Sequence, residues 1–272
     1  MKISTIAKLV LYPDSDQMLI AIIKGLEENE IPYIVVGKMS NLLFRTVTYD
    51  GVLIITSKIR GKNMAENSFT LSCGETLANA LTELASRDRG GFEGLYGIPG
   101  TIGGMIMQNA GAFGYEIKDR FLGADCYMLD GGRIRHLTHE EMCFSYRSSA
   151  LKKKRAILLN ATFDFVYKNR ECILDEIKEY RERRLASQPI EYPSLGSVFK
   201  RYDGVGAGYY IDKSGLKGCS FGGARVSEKH AGFIVNTGGA TADDYLKLID
   251  TVKRRVYSTF GIELEEEIEI IQ

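Results

Sequence analysis

Residues 97–114 read GIPGTIGGMIMQNAGAFG, and the reading of this stretch decides the fold. It is neither Gly-x-Gly-x-x-Gly nor a Walker P-loop, and the chain holds no copy of either, so a Rossmann or P-loop site is disfavoured. Closely spaced glycines still let backbone N–H groups surround an anion such as a pyrophosphate. Pro99 and Thr101 can start a helical turn, whose N-terminus adds a favourable dipole. Taken alone, the stretch fits equally well with glycines that only make tight turns.

Upstream, Lys8 to Tyr12 reads as a short strand, and Pro13 to Asp16 supplies a helix start. Met18, Leu19, Ile22, Ile23 and Leu26 then share one helical face. Tyr33 to Val36 is a second strand, followed by the turn Gly37 to Asn41. This β-α-β pattern places a loop at a strand's carboxyl end, a common position for ligands. Strand-like runs follow at Val52–Ile55 and Phe69–Ser72, and Thr76 starts a helix carrying Leu77, Ala80, Leu81 and Leu84.

Downstream, strands are expected at Leu122–Leu129 and Ala156–Tyr167, and a long polar helix at about Arg170 to Ala186. Thr241 and Asp244 form a capping-box start for a helix with Leu246, Ile249, Val252, Val256 and Phe260 on one face. Leu264 to Ile271 alternates apolar and acidic residues, as a half-buried last strand does.

The bulk properties exclude several classes. Of 272 residues, 35 are Lys or Arg and 35 are Asp or Glu, so the formal charge is zero and nucleic acid is not an expected partner. The five cysteines (Cys73, Cys126, Cys143, Cys172, Cys219) form no CxxC pair, and their odd number and wide spacing fit reduced cytosolic thiols. His136, His139 and Glu140 lack a third cluster of ligands, so the expected reading is a solvated turn before a short helix, with no metal. Met1 to Leu11 has no long apolar run, so no signal peptide is expected. No stretch approaches the roughly 18 apolar residues of a membrane span. A cytoplasmic location follows as an expectation.

Several other short motifs carry chemistry. After Gly37, Ser40 and Asn41 offer hydrogen bonds to phosphate or ribose oxygens, or simply cap a turn. Arg147, in Tyr146-Arg147-Ser148-Ser149, offers a permanent charge and a fork that fits a carboxylate. Ser197 sits in Gly196-Ser197-Val198-Phe199-Lys200, with no nucleophile elbow around it. Glu265-Glu266-Glu267 is by default a solvated acidic run.

Each signal is weak alone, and their order along the chain is specific. From about Ala7 to Ile271 the sequence closely resembles the UDP-N-acetylenolpyruvoylglucosamine reductase (MurB) family. Gly97–Gly114 is similar to its flavin-binding signature, and YRSS to its arginine motif. GSVFK and GLKGCSFGGARVSEKHAGFIVN resemble its substrate-domain core, and GIELEEEIEI its C-terminal strand. The form is that of the short type without an inserted tyrosine loop. Two departures stand out: no Thr-x-x-x-x-Gly-Gly segment precedes the first strand, and Lys38 and Met39 occupy positions usually held by glycine. Both bear on the flavin side rather than on the substrate chemistry. Glu266 also stands where the family usually has proline.

The resemblance implies an α+β fold. Residues 1–168 would form a two-part FAD-binding domain of the vanillyl-alcohol-oxidase type, with subdomains of about 1–50 and 51–168. Residues 169–272 would form a smaller substrate-binding domain. It implies non-covalent FAD, contacted by Gly37, Ser40, Asn41, Gly100, Thr101, Gly103, Gly104, Asn109, Ala110 and Gly111, with NADPH as co-substrate. Arg147, Ser197 and Glu267 take the family's catalytic positions. Lys200 and Arg201, just beyond Ser197, are candidates to bind substrate phosphate or carboxylate.

The implied reaction adds hydride to C3 of an enolpyruvyl UDP-sugar in peptidoglycan precursor synthesis. Charge developing at C2 needs preorganised donors, and Arg147 is the natural one. Ser197 protonates C2. Glu267 can act only through a proton or a shared hydrogen bond, which requires a raised pKa from partial burial. Two other readings compete: another FAD oxidoreductase with the same type of domain, and a catalytically impaired flavin-binding paralogue.

Overall fold

Phe69, Phe92 and Phe163 come from three separate parts of the chain and meet with ring centroids 5.4 to 5.9 Å apart. None is more than 1% exposed, and each aromatic contact adds about 0.5–1.5 kcal/mol beyond area burial. They lie in one of two units of the computed structural model, which describes all of residues 1–272. That unit comprises Lys8–Lys38 and Asp50–Glu182. The other comprises Met1–Ala7, Met39–Tyr49 and Arg183–Gln272. The division therefore falls after Glu182, inside the helix Arg170–Ser187, and the segment Met39–Tyr49 groups with the C-terminal residues.

The first unit contains a five-stranded antiparallel sheet. Its order is Arg133–Thr138, Phe121–Met128, Ala156–Phe163, Phe69–Ser72, Lys62–Met64. A three-stranded sheet places Thr48–Ile55 between Ile6–Leu11 and Tyr33–Val36, with Tyr33–Val36 running parallel to residues 52–55. The two strands flanking the first helix are thus not neighbours. The helix Asp16–Glu28 buries Leu19, Ile23 and Leu26, three positions of the expected apolar face, whereas Met18 is 46% exposed. The helix Leu77–Ser86 starts after Thr76, but Thr76 makes no side-chain cap. The buried Glu75 accepts the Thr76 N–H instead, at 2.8 Å.

Two expectations are corrected. His136 lies in the strand Arg133–Thr138, not in a turn, and its Nδ1 lies 2.9 Å from Asp125 Oδ1. This edge strand buries only Leu137, so it carries almost no apolar alternation to read. Of Leu264–Ile271, only Glu269–Ile271 forms a ladder, parallel to Leu42–Phe44.

The second unit is built on the antiparallel order Ser194–Ser197, Phe233–Asn236, Ala224–Val226, Ser220–Phe221. The helix Ala242–Phe260 covers it. Asp244 N–H donates to Thr241 Oγ1 at 3.1 Å and Thr241 N–H to Asp244 Oδ2 at 2.9 Å, completing the capping box. Gly261 ends the helix at φ +69°, a conformation glycine adopts without steric cost. Tyr245 is fully buried, and its hydroxyl donates to Ile234 O at 3.2 Å. No helix in the chain is long and apolar enough to cross a membrane. No group of three His, Cys, Asp or Glu side chains is placed to hold a metal ion.

Candidate active site

In the first unit the glycine-rich stretch forms a turn and the short helix Ile102–Met107, capped by Thr101, whose Oγ1 accepts from Gly104 N–H at 3.5 Å. Gly100 is buried at φ +151°. The N–H groups of Ile102 and Gly103 donate to Glu75 O and Cys73 O at 2.8 and 2.9 Å. Gly103 therefore serves close packing: a Cβ there would lie 3.3 Å from Cys73 O. Gly104 is exposed, and only Thr101 Oγ1, at 3.9 Å, lies near where its Cβ would stand. Gly37 packs on the same threonine. A Cβ at residue 37 would come within 2.2 Å of Thr101 Oγ1. Two motifs read separately in the sequence thus meet.

Met39, Ser40 and Asn41 belong to the second unit. Met39 holds φ +52°, a left-handed conformation that costs a side-chain-bearing residue about 1–2 kcal/mol and that glycine adopts freely. Asn41 Nδ2 donates to the carbonyl of Glu267 at 3.0 Å.

Arg147 sits at the tip of a two-residue hairpin closed by reciprocal Ser145 and Ser148 backbone bonds of 3.0 and 3.1 Å. Its φ is +52°. Its guanidinium lies 5.1 Å from the Tyr146 ring centroid, and Nη2 donates to Gly111 O at 3.0 Å. Asn109, fully buried at φ +41°, donates from Nδ2 to Ser145 O at 3.0 Å and to Glu116 Oε2 at 3.1 Å. Ser149 Oγ donates to Met107 O at 3.1 Å. Ala110 N–H and C=O are both used in the local backbone, with Met105 O and Ile117 N–H. Asn109 and Ala110 thus support the arginine hairpin and its neighbouring turn.

In the second unit, Ser197 is half-buried and ends the strand paired with Phe233. Gly196 precedes it at φ +80°. Glu267 N–H donates to Val198 O at 2.7 Å, and Lys200 N–H to Glu265 O at 2.9 Å, so the serine segment and the acidic run lie side by side. The acidic run is not simply solvated. Glu265 pairs with Lys200, and Glu266 with Lys253 at 2.9 Å. Glu267 is half-buried between buried Leu264 and Ile268. Lys200 is therefore already neutralised by a neighbour, while Arg201 is exposed.

Reading the residues one by one gave no role to His230. It is partly buried, and burial, with the Lys217 charge adding to it, pulls its pKa below the ordinary imidazole value. Nδ1 accepts from Gly232 N–H at 3.1 Å, and Gly232 O accepts from Val198 N–H at 2.9 Å. The imidazole thus shapes the turn beside Ser197. Its sequence signal is its place within the segment that resembles the family's substrate-domain core.

The matched sequence domains follow the two structural units except at Met39–Tyr49, which lies within the first match and in the second unit. Residues 7–138 match the family described as "FAD binding domain", and residues 188–271 match "UDP-N-acetylenolpyruvoylglucosamine reductase, C-terminal domain". A flavin-binding domain joined to a reductase C-terminal domain defines a flavoprotein oxidoreductase of α+β fold. The UDP-N-acetylenolpyruvoylglucosamine reductase of Caldicellulosiruptor bescii is 42% identical over 272 residues, covering 99% of this chain and 86% of the relative. That of Alkaliphilus oremlandii is 40% identical over 271 residues, covering 99% and 89%. The crystal structure of the enzyme from Thermus caldophilus superposes with a TM-score of 0.82 at 30% identity, covering 97% of this chain and 92% of that one. The chain belongs to the UDP-N-acetylenolpyruvoylglucosamine reductase family.

Proposed function

We propose that this chain is the FAD-dependent, NADPH-consuming reductase that converts UDP-N-acetylenolpyruvoylglucosamine to UDP-N-acetylmuramate in peptidoglycan precursor synthesis. The observation that carries the reading is the pairing of the Ser197 segment with the Glu267 segment through Glu267 N–H and Val198 O. It places the two residues of the family's acid and glutamate motifs on adjacent backbone, 70 positions apart in sequence. FAD is bound by residues 1–168 and substrate by 169–272. A UDP-sugar precursor places the enzyme in the cytoplasm.

The residues present fit FAD. Gly37, Gly100 and Gly104 leave bare backbone around Thr101, and at Gly37 a side chain is sterically excluded. Gly37, Gly100, Thr101, Gly103 and Gly104, all in one unit, would hold the cofactor. Gly111 carries the carbonyl that meets Arg147. Binding is non-covalent: Cys73, whose carbonyl accepts from Gly103 N–H, and Cys126 are both buried, and that burial pushes both thiols up to about 12.

Bound FAD supplies the hydride chemistry that no side chain can. Once C3 of the enolpyruvyl group receives hydride, charge builds at C2 and spreads into the carboxylate. Arg147 stabilises that charge with a fork already oriented by Gly111 and Asn109. Glu267 shares a proton with the developing anion. Ser197 delivers the proton to C2. Arg201 and the donors left on Lys200 bind substrate phosphate or carboxylate, since an ammonium paired to one carboxylate keeps further N–H donors.

Purified protein should carry a visible flavin spectrum and oxidise NADPH only when the enolpyruvyl UDP-sugar is present. A bound flavin without substrate-dependent NADPH oxidation would leave a flavin-binding paralogue and end the reductase reading.

A further inference from the structure

Asn41 belongs by sequence to the loop assigned to flavin, yet its side-chain amide points at the backbone of the acidic strand. Nδ2 donates to Glu267 O at 3.0 Å across 226 residues of sequence. Asn41 O accepts from Glu269 N–H at 2.9 Å, and this bond begins the parallel ladder of Leu42–Phe44 with Glu269–Ile271. From the other side, Glu267 N–H donates to Val198 O at 2.7 Å. The peptide groups flanking the Glu267 Cα are therefore fixed by two different segments, the Ser197 segment and Asn41. Ion pairs of Glu265 with Lys200 and Glu266 with Lys253 hold the two preceding carboxylates away.

We propose that Asn41 is a positioning residue for Glu267. Its amide fixes the peptide plane that decides where the Glu267 carboxylate points, and it ties that plane to the chain just after Gly37. The proposal rests on the reading of Glu267 as an acting group. The chemistry selects asparagine: a carboxylate at this position would set lone pairs against the Glu267 carbonyl, and a serine would not span the gap. The ladder does not depend on the side chain, since Glu269 donates to the main-chain oxygen of residue 41. Substitution at 41 therefore loosens the Glu267 peptide while the strand pairing remains.

The test uses the holoenzyme with Asn41→Ala and Asn41→Asp, alone and combined with Glu267→Gln, measuring bound FAD per chain, kcat and KM for the enolpyruvyl substrate, and melting temperature. Asn41→Ala should keep its FAD and its KM, and lose about 10–100-fold in kcat, the scale expected when an acting group is displaced by up to about 1 Å. In the Glu267→Gln background the same change should cost almost nothing more, because residues acting as a unit are not additive. Asn41→Asp should be impaired at neutral pH and regain kcat relative to the parent enzyme on acidification, as its carboxyl gains an O–H that can donate. Loss of FAD, with normal kcat once FAD is restored, would make Asn41 a cofactor ligand and overturn the positioning role. Additive losses in the double variant would overturn it as well. A Glu267→Gln enzyme with parental kcat would remove the role of Glu267 itself, and the proposal with it.

Discussion

Arg147 Nη2 donates to the main-chain carbonyl of Gly111 at 3.0 Å, joining the arginine hairpin to the end of the glycine-rich stretch 36 residues earlier. The contact does not stand alone. The Asn109 amide holds Ser145 O and the Ser149 hydroxyl holds Met107 O, so three side chains fasten one hairpin to one segment. A left-handed arginine costs energy, and such strain persists only where surroundings over-determine it. The segment assigned to flavin is thus also what aims the charge.

Arg147→Lys tests that arrangement. Lysine keeps the charge but cannot donate to Gly111 O and a substrate carboxylate from one rigid plane. A lost charge-assisted hydrogen bond is worth about 1.5–3 kcal/mol, so kcat should fall by roughly 10–150-fold while bound FAD is unchanged. Steady-state kinetics on flavin-replete protein decides the matter, and near-parental turnover would take Arg147 away from the reacting group.

Gly37→Ala tests the contact between the two glycine-bearing motifs. The new methyl would stand 2.2 Å from Thr101 Oγ1 and 3.0 Å from its Cγ2, atoms of a β-branched side chain with little freedom to turn away. Overpacking of this kind costs about 1–3 kcal/mol. The variant should melt at lower temperature and release FAD more readily. Adding Thr101→Ala removes both obstructing atoms and should restore part of the melting temperature. Two independent, additive losses would show that the residues do not touch in solution.

The glycine-rich stretch, the capping box at Thr241 and the central strands were legible because each depends on local chemistry: a turn, an orphan N–H, or an apolar alternation. The edge strand Arg133–Thr138 was not, because five of its six side chains are exposed and alternation vanishes when neither face is covered. The acidic run was legible only in part. Glu265 is exposed, as a run of glutamates predicts, whereas Glu266 and Glu267 are half-buried and Glu266 pairs with Lys253, 13 residues earlier. Asn41 and Asn109 were read as cofactor contacts because their motifs pointed there. Their amides also bond Glu267 O and Ser145 O, and such tertiary partners leave no periodicity in sequence.

His230 gives a pH dependence of definite sign. Burial holds its pKa below the ordinary imidazole value, so the fold favours the neutral ring. Its Nδ1 accepts from Gly232 N–H, a bond that protonation abolishes. The stabilising contribution is complete above the unfolded pKa of about 6.5 and declines as pH falls below it, where the unfolded chain binds the proton more readily. Denaturant unfolding at pH 8 and pH 5.5 should show a larger loss for the parent protein than for His230→Gln, which does not titrate. Equal losses would mean that His230 titrates alike in the folded and unfolded chain.

Ser197→Ala tests whether residue 197 delivers the proton to C2. Ser197 is half-buried at the end of its strand, next to the residue whose carbonyl receives Glu267 N–H. Removing one hydroxyl there leaves the Val198 and Phe233 pairings intact, because they are main-chain bonds. Reduction of the enzyme by NADPH needs no proton on the sugar substrate, so its rate should stay near the parental value. Reoxidation by the enolpyruvyl substrate does need that proton and should slow by about 10²–10⁴-fold, the range for loss of a general acid. Serine is a weak acid, so cysteine at the same position should recover part of the rate through its more acidic thiol. Stopped-flow absorbance follows the two half-reactions separately. If Ser197→Ala slows both by the same factor, the residue holds structure and a different group protonates C2.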